Sequence, residues 1–400
     1  MIRYRAAWIL PIAAPPIGGG SIAVEGGSIC GVGSFAGGDV EDLGRVAVLP
    51  GLVNAHTHLE LSWMQGQIAP DASMPAWAAS LMALRRSVSA EPAAPIRDAI
   101  IAARRAGTCL VGDITNTLGA YEPLLDSDLS AAVFRELLGF SPIDPDRIVA
   151  SADAELRALR SVATLRPSIV PHAPYSVAPA LFSSIARWHA AHDPALTGPV
   201  SVHLGESPDE MAFLRDGSGA WRALLEAMGV WNPSWTPPAC GPVEYLERLG
   251  LVGPRLVAVH GVQLTDRELT RLGDAHATLV ACPRSNQWTG AGRPPIERFY
   301  ASGVRVAVGT DSLASVADLN VFAEVQEMRR LAPRVPARRL LESATRSGAD
   351  ALGFGAELGT IEPGKRARLL AVAVPDGITD VEEYLVSGIE PEAVQWLGTA

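Results

Sequence analysis

Eight apolar runs of strand length recur along this chain. They end near Ala55, Asp113, Leu138, Pro171, Val202, Val259, Cys282 and Thr310. Segments with helical periodicity lie between and after them, at Ala76–Val88, Ala94–Ala106, Ala152–Leu159, Leu181–Ala191, Gly219–Met228, Pro242–Leu249, Asp266–Gly273 and Ile296–Ser302. Short, continuous apolar runs read as strands covered on both faces, whereas apolar residues three and four apart read as one face of a helix. Eight such units over about 300 residues point to an α/β fold, a (β/α)8 barrel, with an open doubly wound sheet as the runner-up. No G-x-G-x-x-G follows an early strand, which weakens a dinucleotide-binding version of the open sheet.

The flanks read differently. Residues 1–49 carry short strands between Gly-rich turns, at Ala6–Leu10, Ser21–Glu25, Ser28–Val32 and Val46–Leu49. Near the other end a turn, Gly359–Lys365, precedes a strand at Ala367–Val374. Each flank is too small to fold well alone, so the two are expected to form one discontinuous β domain. The expected division is 1–49 and 356–400 for that domain and 50–355 for the barrel.

Composition narrows the function. A formal net charge of −10 argues against nucleic acid or an anionic membrane as the main partner. Four scattered cysteines form no C-x-x-C pair, which fits a reducing cytoplasm. Arg3 and Arg5 before an apolar stretch faintly resemble a secretion signal, but Pro11, Pro15 and Pro16 interrupt it. No apolar run approaches the ~20 residues that cross a bilayer.

A barrel gathers its chemistry where strands end at the C-terminal face. His56 and His58 leave the first strand two residues apart, so their imidazoles share a side. His172 follows the fourth strand, His203 the fifth and His260 the sixth, while Asp311 and Ser312 follow the eighth. His56, His58, His203 and Asp311 make a three-imidazole, one-carboxylate set that can hold one divalent ion with a position left for water. A bound ion lowers that water's pKa towards about 7. Glu206, three residues past His203, is placed to act as general base, and His260 to hydrogen-bond the reacting oxygen. Each residue has an ordinary alternative: Asp311 could cap a helix, and Glu206 could face solvent. Their occurrence as an ordered set at successive strand ends argues for the metal site.

The run Pro50-Gly51-Leu52-Val53-Asn54-Ala55-His56-Thr57-His58, His203 with Glu206, His260, Gly309-Thr310-Asp311-Ser312 and the tail Gly359–Lys365 together resemble the amidohydrolase superfamily. The resemblance implies a distorted (β/α)8 barrel with a small β-sandwich built from both termini. His172 occupies the strand-4 position where binuclear members carry a carbamylated lysine, and the chain's one lysine is Lys365. One metal ion is therefore expected, zinc first and iron second. Glu206, His260 and Cys282-Pro283-Arg284-Ser285-Asn286 resemble the cytosine deaminase and chlorohydrolase branch.

His56–Ser62 and the long segment Ser207–Pro242 resemble aminodeoxyfutalosine deaminases of menaquinone biosynthesis. The implied reaction is hydrolytic removal of ammonia from a purine-nucleoside-like small molecule. Glu206, His260 and Asp311 would be catalytic, and His172, Arg284, Asn286 and Ser312 would bind substrate. Alternatives are deaminases of S-adenosylhomocysteine, methylthioadenosine, adenosine, guanine or cytosine, and hydrolases of a carbon–halogen or cyclic-amide bond. Relatives of this kind are often dimers or larger, so a homodimer is an assembly the resemblance allows. Trp63, Trp231, Trp235 and Trp288 are candidates to stack on a base, and Glu60 and Glu136 to reach ribose hydroxyls.

Overall fold

The computed structural model describes residues 1–33, 39–88, 92–194 and 197–398. Eight parallel strands form its centre: β1 (Leu52–Thr57), β2 (Thr108–Thr115), β3 (Ser130–Leu137), β4 (Leu165–Pro171), β5 (Val200–Leu204), β6 (Leu256–His260), β7 (Thr278–Ala281) and β8 (Arg305–Val308). β1 to β4 pair in chain order, as do β5 to β8. All eight residues of β2 are buried, as the continuous apolar run requires. Burying each Val, Leu or Ile side chain of such a strand contributes roughly 1.5–3 kcal/mol.

The two four-stranded halves meet at two seams, both bonded at the strands' C-terminal ends. Between β4 and β5, His203 N–H donates to His172 O at 2.9 Å. Between β8 and β1, Thr310 N–H and Asp311 N–H both donate to His56 O, at 3.1 and 3.0 Å. β1 also shifts register against β2 between Asn54 and Thr57. Gly309 lies against His56 so closely that a Cβ there would fall 2.8 Å from the His56 Cβ and carbonyl oxygen. These irregularities distort the barrel, and they lie beside the residues read as ligands.

Both ends of the chain build the small β domain. One sheet runs in the order Ser28–Gly33, Ser21–Glu25, Ile2–Arg5, Val40–Asp42; the other runs Val394–Leu397, Leu369–Ala373, Val46–Pro50, Trp8–Ile9, Ile17–Gly18. Tyr4, Ile22, Ile29, Val48, Ile361 and Leu369 pack in one apolar cluster. Between Leu369–Ala373 and Val394–Leu397 the chain leaves the sheet for the barrel. There Glu383 pairs with Arg329, and Asn320 Nδ2 donates to Ile389 O at 3.0 Å.

Helix also forms outside the periodic segments, as at Tyr121–Leu125, Pro208–Asp216 and Pro283–Trp288. The helix expected from Ala152 begins at Pro145, because Asp144 caps it by accepting from Arg147 N–H at 3.0 Å. After β8, helices follow at Val321–Leu331, Ala337–Ser343, Arg346–Ala351 and Val381–Leu385.

Candidate active site

His56, His58 and His203 each offer a ring nitrogen within 4.8 Å of the others. Asp311 Oδ1 lies 3.5 Å from His58 Nε2 and 3.9 Å from His56 Nε2. His56 is 0% exposed, and neither of its ring nitrogens has a hydrogen-bond partner. An unmet buried polar atom costs roughly 1–3 kcal/mol, so this site fits an ion that takes the lone pairs. Burial, and then the neighbouring histidines, hold the His56 and His58 imidazoles well below the usual range; burial brings His203 down to about 4. All three are neutral at pH 7, the form that ligates. His203 Nδ1–H donates to His172 O at 3.0 Å, which leaves Nε2 as its free donor atom. The ligand types suit zinc or iron.

Asp311 has a left-handed backbone, φ 63°, as has His260, φ 76°. A non-glycine residue in that region costs about 1–2 kcal/mol, and it is kept only where surrounding bonds enforce it. For Asp311 those bonds are its own N–H to His56 O, Ser285 Oγ–H to Oδ2 at 2.6 Å and Ser312 N–H to Oδ1 at 2.8 Å. Burial pushes the Asp311 carboxyl up to about 6.

Glu206 is 1% exposed, and its Oε1 lies 3.5 Å from His260 Nε2. Burial, then the Asp311 and Glu210 carboxylates, push the Glu206 carboxyl well up, a setting for an acid that must accept a proton. Asn286 Nδ2 donates to His260 Nδ1 at 2.9 Å. That bond selects the tautomer with a proton on His260 Nε2, facing Glu206.

These groups open onto a cavity of about 360 Å³. His172 and Ser312, expected to bind substrate, line it. Arg284 does not. Its Nε donates to the buried Glu324 carboxylate at 2.7 Å and its Nη2 to Asp318 at 3.0 Å, so the guanidinium is tied to the chain after β8. Asn286 is also absent from the cavity wall; it is fully buried and orients His260 rather than meeting a base edge. Glu60 accepts from Arg85, Thr115, Asn116 and Thr117 and holds those residues together. Glu136 does face the cavity, and its Oε1 has no hydrogen-bond partner.

The aromatic wall is not built from the tryptophans singled out. Trp231 and Trp235 pack on Phe140 and Phe213, Trp288 Nε1 donates to Ile68 O, and Trp63 packs beside Leu61 and Met64. Trp77 and Trp221 line the cavity instead, with Tyr175 stacked on Trp221 at 3.8 Å. Both lie on helices rather than at strand ends, so the strand-end rule passes over them. Arg85, on the same helix as Trp77, also lines the cavity and donates to Asn116 Oδ1 at 2.7 Å. Asn116 lines the cavity directly after β2, where that rule could have found it.

Among the described residues, no helix is long and apolar enough to cross a membrane. A curated aminodeoxyfutalosine deaminase from Deinococcus radiodurans is 31% identical over 326 residues, 78% of this chain and 75% of that protein. A 5-methylthioadenosine/S-adenosylhomocysteine deaminase from Moorella thermoacetica is 29% identical over 390 residues, 93% of this chain and 85% of that protein. The crystal structure of an adenosine deaminase from Xanthomonas campestris with bound zinc superposes with a TM-score of 0.82 at 27% identity, covering 98% of this chain and 90% of that one. The amidohydrolase family model matches residues 47–390, which span the barrel, every proposed ligand and Glu206. With the histidine–aspartate centre at the mouth of an eight-stranded α/β barrel, this match makes the chain a member of the amidohydrolase family, a hydrolytic enzyme of the deaminase type.

Proposed function

We propose that this chain is a metal-dependent hydrolytic deaminase of an adenine-type nucleoside, with 6-amino-6-deoxyfutalosine as the first candidate substrate. The observation that carries the reading is one cavity that joins the histidine–aspartate centre, a buried carboxylate and a largely apolar, aromatic wall. His56, His58, His203 and Asp311 would hold one divalent ion, zinc before iron. Such an ion would lower the pKa of a water held there towards neutrality.

The chain's own groups then divide the work. Glu206 takes a proton from the attacking water and returns it to the ring nitrogen beside the carbon under attack. His260 Nε2–H faces the same place and stabilises charge growing on oxygen; Asn286 keeps that proton on Nε2. Asp311 takes the second proton and passes it to the departing amine. Ammonia leaves, and the ring keeps a carbonyl where the amine was. His172 and Ser312 bound the ring's site, and the unpartnered Glu136 Oε1 can accept from a ribose hydroxyl.

The wall formed by Met74, Trp77, Phe140, Trp221 and Leu225 suits an apolar or aromatic group at the ribose 5′ position. Aminodeoxyfutalosine carries an aryl ketone with a carboxylate there, and Arg85, which also pairs with Glu60 at 2.8 Å, lies in that wall. Methylthioadenosine, with a small apolar 5′ group, is the second reading on the same wall. The test is zinc-loaded protein incubated with aminodeoxyfutalosine, methylthioadenosine, S-adenosylhomocysteine and adenosine, followed by ultraviolet absorbance. A change from the adenine to the hypoxanthine spectrum fastest with aminodeoxyfutalosine supports the first reading. Faster turnover of another member replaces the substrate. No spectral change and no ammonia with any of them, in protein holding one metal, refutes the deaminase.

A further inference from the structure

Glu210 is 0% exposed and takes no part in the chemistry above. It stands at the third position of the helix Pro208–Asp216, whose N-cap is Ser207. A glutamate at that position ordinarily reaches back to the N–H of the cap residue, closing a capping box. The same barrel contains that ordinary form after β6: Glu268 accepts from Thr265 N–H at 3.0 Å, and Thr265 Oγ1 accepts from Glu268 N–H.

Glu210 departs from the pattern. Ser207 Oγ accepts from Glu210 N–H at 3.3 Å, which is half of the box. The Glu210 carboxylate passes over the Ser207 N–H and instead takes Gly205 N–H on Oε1 at 2.8 Å and Glu206 N–H on Oε2 at 2.9 Å. Both oxygens are used on the turn that carries the proposed base. That turn needs the help: Gly205 has φ 61°, and Leu264 sits where a Cβ would be, 2.5 Å away. From Leu204, the last residue of β5, the chain must reverse within two residues to aim Glu206 at the cavity.

We infer that Glu210 is the positioning residue for Glu206, a buried carboxylate that clamps two consecutive backbone N–H groups and so fixes where the base stands. This rests on reading Glu206 as the base. Glu210→Gln keeps the shape but leaves one amide N–H₂ facing a backbone N–H, so one of the two bonds is lost. Ser207→Ala is the matched control: it weakens the same helix terminus and leaves the Glu210 carboxylate on its two N–H groups.

The experiment uses zinc-loaded full-length protein and reads hydrogen exchange over residues 204–207 together with steady-state kinetics on whichever nucleoside the wild type turns over. Glu210→Gln should exchange faster at Gly205 and Glu206 and lose about 100-fold in kcat, the scale of a misplacement of about 1 Å, while KM and zinc content hold within about threefold. Ser207→Ala should lower the melting temperature and leave kcat within about threefold. Glu210→Asp, one methylene too short to span both N–H groups, should follow Glu210→Gln. Equal kcat losses in Glu210→Gln and Ser207→Ala would reduce the role to helix capping and overturn the proposal. So would unchanged exchange at Gly205 and Glu206 in Glu210→Gln. If the wild type turns over no nucleoside, the deaminase reading fails by itself, and the exchange result alone decides the clamp.

Discussion

Asp311→Asn is expected to stabilise the metal-free protein and to abolish its function. Burial raises the Asp311 carboxyl from an ordinary 3.8 to about 6, so at pH 7.5 the ionised form costs the metal-free fold about 3 kcal/mol. The sign follows from proton linkage. The folded state holds this proton more tightly than the unfolded chain, so the penalty is absent below 3.8, grows through 3.8–6 and is complete above 6. Asparagine removes it. The amide keeps an oxygen for Ser312 N–H but turns its N–H₂ to Ser285, so the bond from Ser285 Oγ–H to Oδ2 is lost, about 1 kcal/mol. The balance is a gain of about 2 kcal/mol at pH 7.5 that shrinks to nothing at pH ~4.5, where the penalty has fallen to the worth of the lost bond. With zinc the order reverses, because asparagine is a poorer ligand than carboxylate. Thermal melts of both proteins in chelator and in zinc, at pH 7.5 and pH 4, read all four conditions. A metal-free Asp311→Asn protein no more stable than wild type at pH 7.5 would refute the idea that this carboxylate is held in the fold against its own desolvation.

Three further outcomes follow from other groups. Glu206→Gln should retain one metal by elemental analysis and lose about 10²–10⁴ in kcat, the usual worth of a general base; a near-wild-type rate removes Glu206 from that role. Asn286→Ala frees His260 to carry its proton on Nδ1, so kcat should fall about tenfold or more with metal content unchanged, and an unaltered kcat would show that the 2.9 Å bond does not set the tautomer. His189, which does not line the cavity, donates from Nε2 to Ile169 O and is brought down to about 4 by burial. The unfolded chain protonates it near 6.5 and the fold resists, so wild type loses up to about 3 kcal/mol from this group as pH falls from 6.5 to 4. His189→Gln should therefore gain stability relative to wild type over that window, and melting curves that stay parallel from pH 8 to 4 would contradict the cause.

How far the sequence could be read depended on whether a residue's role was set locally. That His56, His58, His203, His260 and Asp311 would converge was legible because each lies at or just past the end of a buried strand, and a barrel brings those ends together whatever the loops do. Arg284 and Asn286 lie in one short helix, Pro283–Trp288, and were misjudged for the same reason. Which way a helical side chain points depends on partners distant in sequence: for Arg284 these are Asp318 and Glu324, and for Asn286 it is His260. The same limit hid Trp77, Arg85 and Trp221, whose helices fold over the barrel mouth from loops of unpredictable course. In the small domain, Ile2–Arg5 and Val40–Asp42 escaped detection because arginines and acidic residues alternate with or replace the apolar positions.

The two seams of the barrel explain why the centre lies where it does. A barrel gathers its strand ends at one face, and the bonds across the seams set how those ends sit against one another. Here the His56 carbonyl accepts from both Thr310 and Asp311 across one seam, and the His172 carbonyl accepts both the backbone N–H and the imidazole Nδ1–H of His203 across the other. Each seam is thus closed by a residue of the centre bonding to another residue of the cavity. The left-handed backbones at His260 and Asp311 turn the chain inward at the same level. Bonds that hold the barrel shut and bonds that aim its ligands are therefore partly the same bonds. On this argument, substituting a ligand side chain should leave the barrel closed, since the seam bonds at His56 and Asp311 use backbone atoms. A side chain added at Gly309 would wedge against His56 and disturb closure and metal binding together.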